Sequence, residues 1–316
     1  MVKHIAIKNF KSIKDVSFEA KRVNLLLGTP NSGKSNILEA LGLFSASYVR
    51  NLKDFIRFKK TENLFFDNDV TQDIQIAADD YLCHITYDKG IFRGKCNKGE
   101  ENYLEFRLNY GGEYDRQVQD NKLPFKYYRF KLDYTASAGY DYLLPPFGKN
   151  LFSILYTNKS LRKEVSQLLL EKGFRLIIDT QDKKIEILKE VDDIFYTYPY
   201  ESLSDTIQRV VFYLTAMSTN SNSVLLFEEP EAYIFPYYVK FLADKIIQDN
   251  SNQYFIITHN PYLLFSMMDS LAESDLGVFM TSMRDYRTEI KPLTMANLEK
   301  VRELGNDFFL NPGQII

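Results

Sequence analysis

The residues best equipped for chemistry stand near the start of the chain, in the run Leu25-Leu26-Leu27-Gly28-Thr29-Pro30-Asn31-Ser32-Gly33-Lys34-Ser35-Asn36-Ile37-Leu38. Gly28, four residues and then Gly33-Lys34-Ser35 is the spacing of a phosphate-binding loop. Glycine at both ends lets the backbone fold back, so that successive N–H groups point into one concave nest that an oligophosphate fills. Lys34 is placed to meet the β- and γ-phosphates as a point charge, and the Ser35 hydroxyl to ligate Mg²⁺. The expected nucleotide contacts are therefore Gly28, Pro30, Asn31, Ser32, Gly33, Lys34, Ser35 and Asn36.

Three further groups complete a possible hydrolytic set. Val224-Leu225-Leu226-Phe227-Glu228-Glu229-Pro230-Glu231 is an apolar run ending in acids, which reads as a buried strand with carboxylates at its C-terminal tip, where an open α/β sheet places ligands. With the phosphate loop it forms a Walker B element: Glu228 would hold Mg²⁺, and Glu229 would polarise the water attacking the γ-phosphate. Gln253 to Ile257 is a second apolar run with a polar tip, Thr258-His259-Asn260-Pro261, and His259 there can hydrogen-bond a γ-phosphate. The catalytic candidates are thus Lys34, Glu229 and His259, with Ser35 and Glu228 for the metal. Ser204, within Glu201-Ser202-Leu203-Ser204-Asp205-Thr206-Ile207-Gln208-Arg209, reads as the N-cap of a helix running through Met217.

The elements that must position these groups are readable around them. Residues 2–8 and 16–19 alternate like two strands joined through Asn9-Phe10-Lys11-Ser12-Ile13-Lys14-Asp15, and Val23 to Leu27 is a continuous apolar strand. Ile37, Leu38, Leu41 and Phe44 then repeat at helical spacing. After a basic stretch at Arg57-Phe58-Lys59-Lys60, short alternating strands with turn signals describe an antiparallel meander whose last run is Phe125 to Leu132. Leu151 to Glu171 reads as one helix, Phe174–Asp179 and Lys184–Leu188 as a hairpin, Tyr237 to Asp249 as a helix, and Met295–Leu304 as a last helix before a loose tail. The expected organisation is a single 1–316 domain: a nucleotide-binding core from 1–60 and 218–316, a meander at 73–140 and a helical lobe at 145–217.

Composition removes several classes. Among 316 residues, no apolar run approaches the ~18 needed to span a bilayer, so no membrane association is expected. Two cysteines, Cys83 and Cys96, and three histidines argue against a disulfide framework or a zinc site, and a reduced, cytoplasmic setting is expected. With a formal charge of −3, nucleic-acid binding would need a local basic patch. Lys126-Tyr127-Tyr128-Arg129-Phe130-Lys131 interleaves cations and aromatics and is a candidate for one, although an ordinary half-buried strand has the same pattern.

Taken together, the motifs resemble an ABC-type ATPase head of the SMC/RecF/OLD group. The resemblance rests on Asn9-Phe10-Lys11-Ser12-Ile13-Lys14-Asp15, the phosphate loop through Leu41, Leu203-Ser204-Asp205, Glu228-Glu229-Pro230-Glu231-Ala232 and Thr258-His259-Asn260-Pro261. The Glu-Glu-Pro-Glu-Ala form is most similar to OLD-like ATPases of phage defence and DNA repair. The resemblance implies an α/β fold, a P-loop NTPase head with a mixed sheet core, an antiparallel β-meander lobe and a small helical lobe. It also implies ATP with Mg²⁺, slow hydrolysis, and homodimers that pair head to head so that Ser204 touches the nucleotide of the other subunit.

Three features depart from the group's pattern: Thr206 stands where glycine usually follows Ser-Asp, Glu228 stands where Asp is commoner, and neither Gln72 nor Gln75 makes a convincing Q-loop. About 190 residues separate Lys34 from Glu228, room for a small lobe but not for a long coiled-coil arm. Asp269, Glu273 and Asp275 read as a solvated face, not as a nuclease centre. The leading expectation is an ATP-driven switch on a separately encoded effector, a nuclease or toxin. A RecF-like DNA clamp is the alternative, and a transporter subunit a third reading.

Overall fold

The computed structural model describes residues 1–118, 124–135 and 139–305. The predicted loose tail lies outside the described residues. Strands β1 (His4–Phe10) and β2 (Ile13–Glu19) form a hairpin, and β3 (Val23–Gly28) runs into the phosphate loop and helix α1 (Lys34–Gly42). Short 3₁₀ turns lead to a meander of β4 (Ile74–Ala78), β5 (Tyr81–Asp88), β6 (Ile91–Lys98), β7 (Glu101–Leu108) and β8 (Tyr114–Val118). Strand β9 (Phe125–Tyr128) precedes helices α2 (Leu151–Thr157) and α3 (Lys159–Leu170), then β10 (Arg175–Asp179), β11 (Lys184–Val191) and β12 (Ile194–Pro199). The rest alternates: α4 (Asp205–Ser218), β13 (Val224–Glu228), α5 (Pro236–Gln248), β14 (Gln253–Ile257), α6 (Pro261–Ser270), β15 (Leu276–Arg284), β16 (Arg287–Pro292) and α7 (Met295–Leu304).

Three sheets result. The central one has the order β16-β15-β3-β14-β13-β9, parallel throughout except for the antiparallel β16. The hairpin β1–β2 joins the meander in a seven-stranded antiparallel sheet, β2-β1-β4-β5-β6-β7-β8, and β10-β11-β12 make a small third sheet. The continuous apolar runs of β3, β13 and β14 are explained by burial on both faces. Leu25, Leu27, Leu225, Phe227, Tyr254 and Ile256 join one core with α4, α5 and α6. Their neighbours Leu26, Leu226, Phe255 and Ile257 join a second core with α1 and the meander. Burying each such side chain contributes about 1.5–3 kcal/mol, so the strands that carry the motifs are among the firmest in the molecule.

Four details differ from the sequence reading. The helix predicted from Leu151 to Glu171 is two helices, because the Asn158 side chain caps the second one, accepting from the Leu161 N–H at 3.0 Å. A third strand, β12, follows the predicted hairpin, reached through Asp192 and Asp193, both with positive φ. The run from Phe125 leaves the meander: β9 lies parallel to β13 at the edge of the central sheet. All four β9 residues are buried, and Lys126 Nζ lies 3.6 Å from the Tyr142 ring centroid and hydrogen-bonds Asn220. Lys126, Tyr127 and Tyr128 therefore cannot lie along a nucleic-acid backbone, and of the patch proposed for DNA only Arg129 and Lys131 remain exposed.

Candidate nucleotide-binding site

Parallel pairing sets β3, β13 and β14 side by side with their C-terminal tips on one edge. The phosphate loop, Glu228-Glu229 and Thr258-His259 thus emerge next to one another, as the topology of such sheets requires of a ligand site. A cavity of about 720 Å³ opens there. Pro30, Asn31, Ser32, Gly33, Lys34, Ser35 and Asn36 line it together with Glu229 and His259. A smaller cavity of about 360 Å³, on the meander, holds none of the motif residues.

Both loop glycines are needed for close packing. Gly28 has φ 145°, and a Cβ there would stand 2.4 Å from the Thr281 carbonyl oxygen. Gly33 has φ 94°, and its Cβ would overlap the Thr288 side chain. Asn31 also takes a left-handed conformation, φ 61°. The start of α1, like those of α2 and α5, has no side-chain cap and no acid in its first turn, and of the three it alone opens on the cavity. Its leading N–H groups and positive dipole end are left for an anion. Lys34 Nζ donates to the Gly28 and Thr29 carbonyls, both at 2.8 Å. Burial lowers its pKa to about 8 against the opposing pull of Glu229.

Ser35 Oγ donates to Glu228 Oε1 at 3.0 Å, which brings together the two residues predicted to hold a metal. Two hard oxygen donors beside a phosphate nest suit Mg²⁺, which takes only one or two protein ligands and fills the rest with phosphate and water. Their surroundings were not foreseen. Arg57 donates to Glu228 Oε1 at 3.0 Å and to Glu39 Oε1 at 2.9 Å, and Tyr127 donates to Glu228 Oε2 at 2.8 Å. Glu39 on α1 is fully buried and pairs also with Lys11. The Asn-Phe-Lys-Ser turn thereby packs on the phosphate-loop helix, and Asn36 Nδ2 donates to Ser12 Oγ at 2.6 Å. The basic stretch around Arg57 was the only signal, since pairing over 171 residues leaves no local trace.

Glu229 has φ 46°, with its N–H donated to the Ile257 carbonyl at 3.0 Å. Its Oε1 lies 3.6 Å from His259 Nε2. Burial and then Lys34 lower the His259 pKa, with Glu229 opposing, so the ring favours the neutral form. Ser204 is elsewhere. It caps α4, accepting from the Ile207 N–H at 3.5 Å, and is not among the residues lining the cavity. Thr206, at the usual glycine position, donates to the Tyr233 carbonyl at 2.9 Å. Gln72 and Gln75 are exposed and do not line the cavity, whereas Asn63, Asp67 and Asn68 do. Asp269 pairs with Arg302 and Asp275 with Arg22, and no group of three potential metal ligands occurs among the described residues. No described helix is long and apolar enough to cross a membrane.

Comparison with known proteins agrees with this fold. An Smc head bound to the C-winged helix domain of ScpA is similar at 16% identity and a TM-score of 0.53, over 95% of this chain and 99% of that one. A Pyrococcus furiosus Smc head with an extended coiled coil, bound to the C-terminal domain of ScpA, is similar at 14% identity and a TM-score of 0.53, over 96% and 98%. The fold is that of an ABC-type P-loop ATPase head. No curated protein matches the chain. Residues 1–210, about two thirds of the sequence, match the family model described as AAA ATPase domain, and the chain belongs to that family.

Proposed function

We propose that the chain binds ATP with Mg²⁺, hydrolyses it, and works as a head-to-head pair. The observation that carries this reading is the convergence of Lys34, Ser35, Glu229 and His259 from three adjacent strand tips around one cavity, with Glu228, outside its lining, hydrogen-bonded to Ser35. The uncapped N–H groups of α1 and the Lys34 ammonium hold the phosphates, and Ser35 with Glu228 holds the metal. When bound, Mg²⁺ neutralises charge developing on the phosphate oxygens. Glu229 accepts a hydrogen bond from the attacking water and orients it, while neutral His259 lies within reach of the same water or of the terminal phosphate.

Pairing has its own support. Tyr233, Phe235, Tyr237 and Tyr262 are 53–82% exposed and follow the Glu229 and His259 motifs. Large exposed aromatics beside a polar site are characteristic of protein interfaces. A second head there would bring Ser204 to the partner's nucleotide. We read the output as control of a separately encoded effector, a nuclease or toxin, in phage defence or DNA maintenance of the OLD-like kind. That both similar Smc heads are bound to ScpA domains supports a head that acts on protein partners. The domain division proposed from the sequence is kept, with β9 assigned to the nucleotide-binding core and the β1–β2 hairpin to the meander sheet.

The test is light scattering of Glu229→Gln with and without ATP and Mg²⁺, beside phosphate release by the native chain. The reading expects ATP-dependent doubling of mass in the variant and slow turnover in the native protein. A native chain that binds no ATP overturns it, and a variant that stays monomeric with ATP bound removes the pairing.

A further inference from the structure

Glu231 follows Glu229 by two residues but is not among the residues lining the cavity. Only 7% exposed, it crosses to the neighbouring strand tip. Its Oε1 accepts from Thr258 Oγ1 at 2.6 Å and from the His259 N–H at 3.0 Å. Thr258 Oγ1 in turn accepts from the Asn260 N–H at 3.0 Å, and Asn260 Oδ1 caps α6 through the Tyr262 N–H at 2.9 Å. One carboxylate oxygen therefore ties the loop carrying Glu229 to the loop carrying His259. The first of these needs holding, because Glu229 and Tyr233 both sit at positive φ, 46° and 59°, which side chains other than glycine adopt at a cost. A buried carboxylate is itself costly, and Oε2 is buried without a hydrogen-bond partner. Such a group persists where something depends on it.

We propose that Glu231 is a positioning residue for hydrolysis, setting His259 against Glu229 by gripping the His259 peptide. This rests on the roles given above to Glu229 and His259. A carboxyl group suits the task, since both donors converge on one oxygen, which can accept in either protonation state. A purely structural role would lower stability and leave turnover per folded molecule unchanged. A positioning role separates turnover from binding, because the phosphate nest is built by other residues.

The experiment measures kcat and ATP affinity of the full chain for the native protein, Glu231→Ala, Glu231→Gln and Thr258→Val, with a melting curve for each. Loss of the grip should lower kcat about 100-fold in Glu231→Ala, the scale set by a misplacement of about 1 Å. Thr258→Val, losing one bond of two, should fall about tenfold, and ATP affinity should stay within about threefold in both. Glu231→Gln should recover most of the rate, since its amide oxygen can accept both bonds. A folded Glu231→Ala with native kcat overturns the inference, as does a fall in affinity that matches the fall in rate. If Glu231→Ala does not fold, Thr258→Val decides, and a native rate there overturns it. A native chain without ATPase activity removes the reading of the site and this inference with it. An active native chain with indifferent variants removes this inference alone.

Discussion

The strand-tip cavity and the start of α4 carry motifs of the same proposed reaction, yet they differ in completeness. At the cavity, each group has its neighbour: Lys34 on the loop carbonyls, Ser35 on Glu228, Glu229 near His259. At α4, every polar group is turned to local use. Ser204 caps the helix, Asp205 pairs with Arg209 at 2.6 Å, and Thr206 holds the Tyr233 carbonyl. The difference teaches that the phosphate site belongs to one sheet, whereas Ser204 is committed to its own helix and lies outside the cavity lining.

The largest effect should come from Glu229→Gln, which keeps shape and removes the acceptor for water: hydrolysis should fall by about 10²–10⁴-fold with ATP affinity nearly unchanged. Turnover at the native rate would take Glu229 out of the chemistry. Lys34→Ala should weaken ATP binding about 100-fold, the scale of a lost charge-assisted contact, as read by calorimetry. Unchanged affinity would mean that the complete-looking side is not the binding side.

The cost of holding that side together should show in its pH dependence. Burial pushes Glu231 from 4.5 up to about 7. Between those values the folded chain binds more protons than the unfolded one, so this group's contribution to stability falls as pH rises from about 4.5 to 7, by about 3 kcal/mol. Denaturant titrations at pH 5 and 8 should therefore show a smaller difference in Glu231→Gln than in the native chain. An equal difference would leave Glu231 unshifted. The smallest effect belongs to Ser204→Ala. The lost cap should cost about 1 kcal/mol, a melting shift of about 2 °C, with ATP affinity intact and turnover reduced only in the pair. Weakened binding by an isolated chain would erase the contrast between the two regions.

The motif-bearing elements were legible in the sequence because their signals are local. A glycine spacing, an apolar run with an acidic tip and a serine before a helix each need fewer than about fifteen residues to declare themselves. What stayed hidden depends on distant pairing. Nothing near Tyr127 says that its strand joins β13, so its contact with Glu228 and the burial of Lys126 could not be read. The same holds for Arg57 and Glu39, whose bond depends on how the 3₁₀ turns fold back on α1. Asn158 was readable in principle, since its side chain caps within three residues, but the apolar face on both sides masked the break.

The alternation of β3 between two cores has a mechanical consequence. Leu26 is packed on one side of the sheet, and Leu25 and Leu27 on the other. Close-packed interiors do not yield gradually, so a strand gripped from both sides cannot shift its tip while only one layer adjusts. Any displacement at the phosphate loop would register at once among the helices behind the sheet and in the meander before it. The central sheet is thus less a shelf for the cavity than a common rail, along which one small movement is felt on both sides of the molecule.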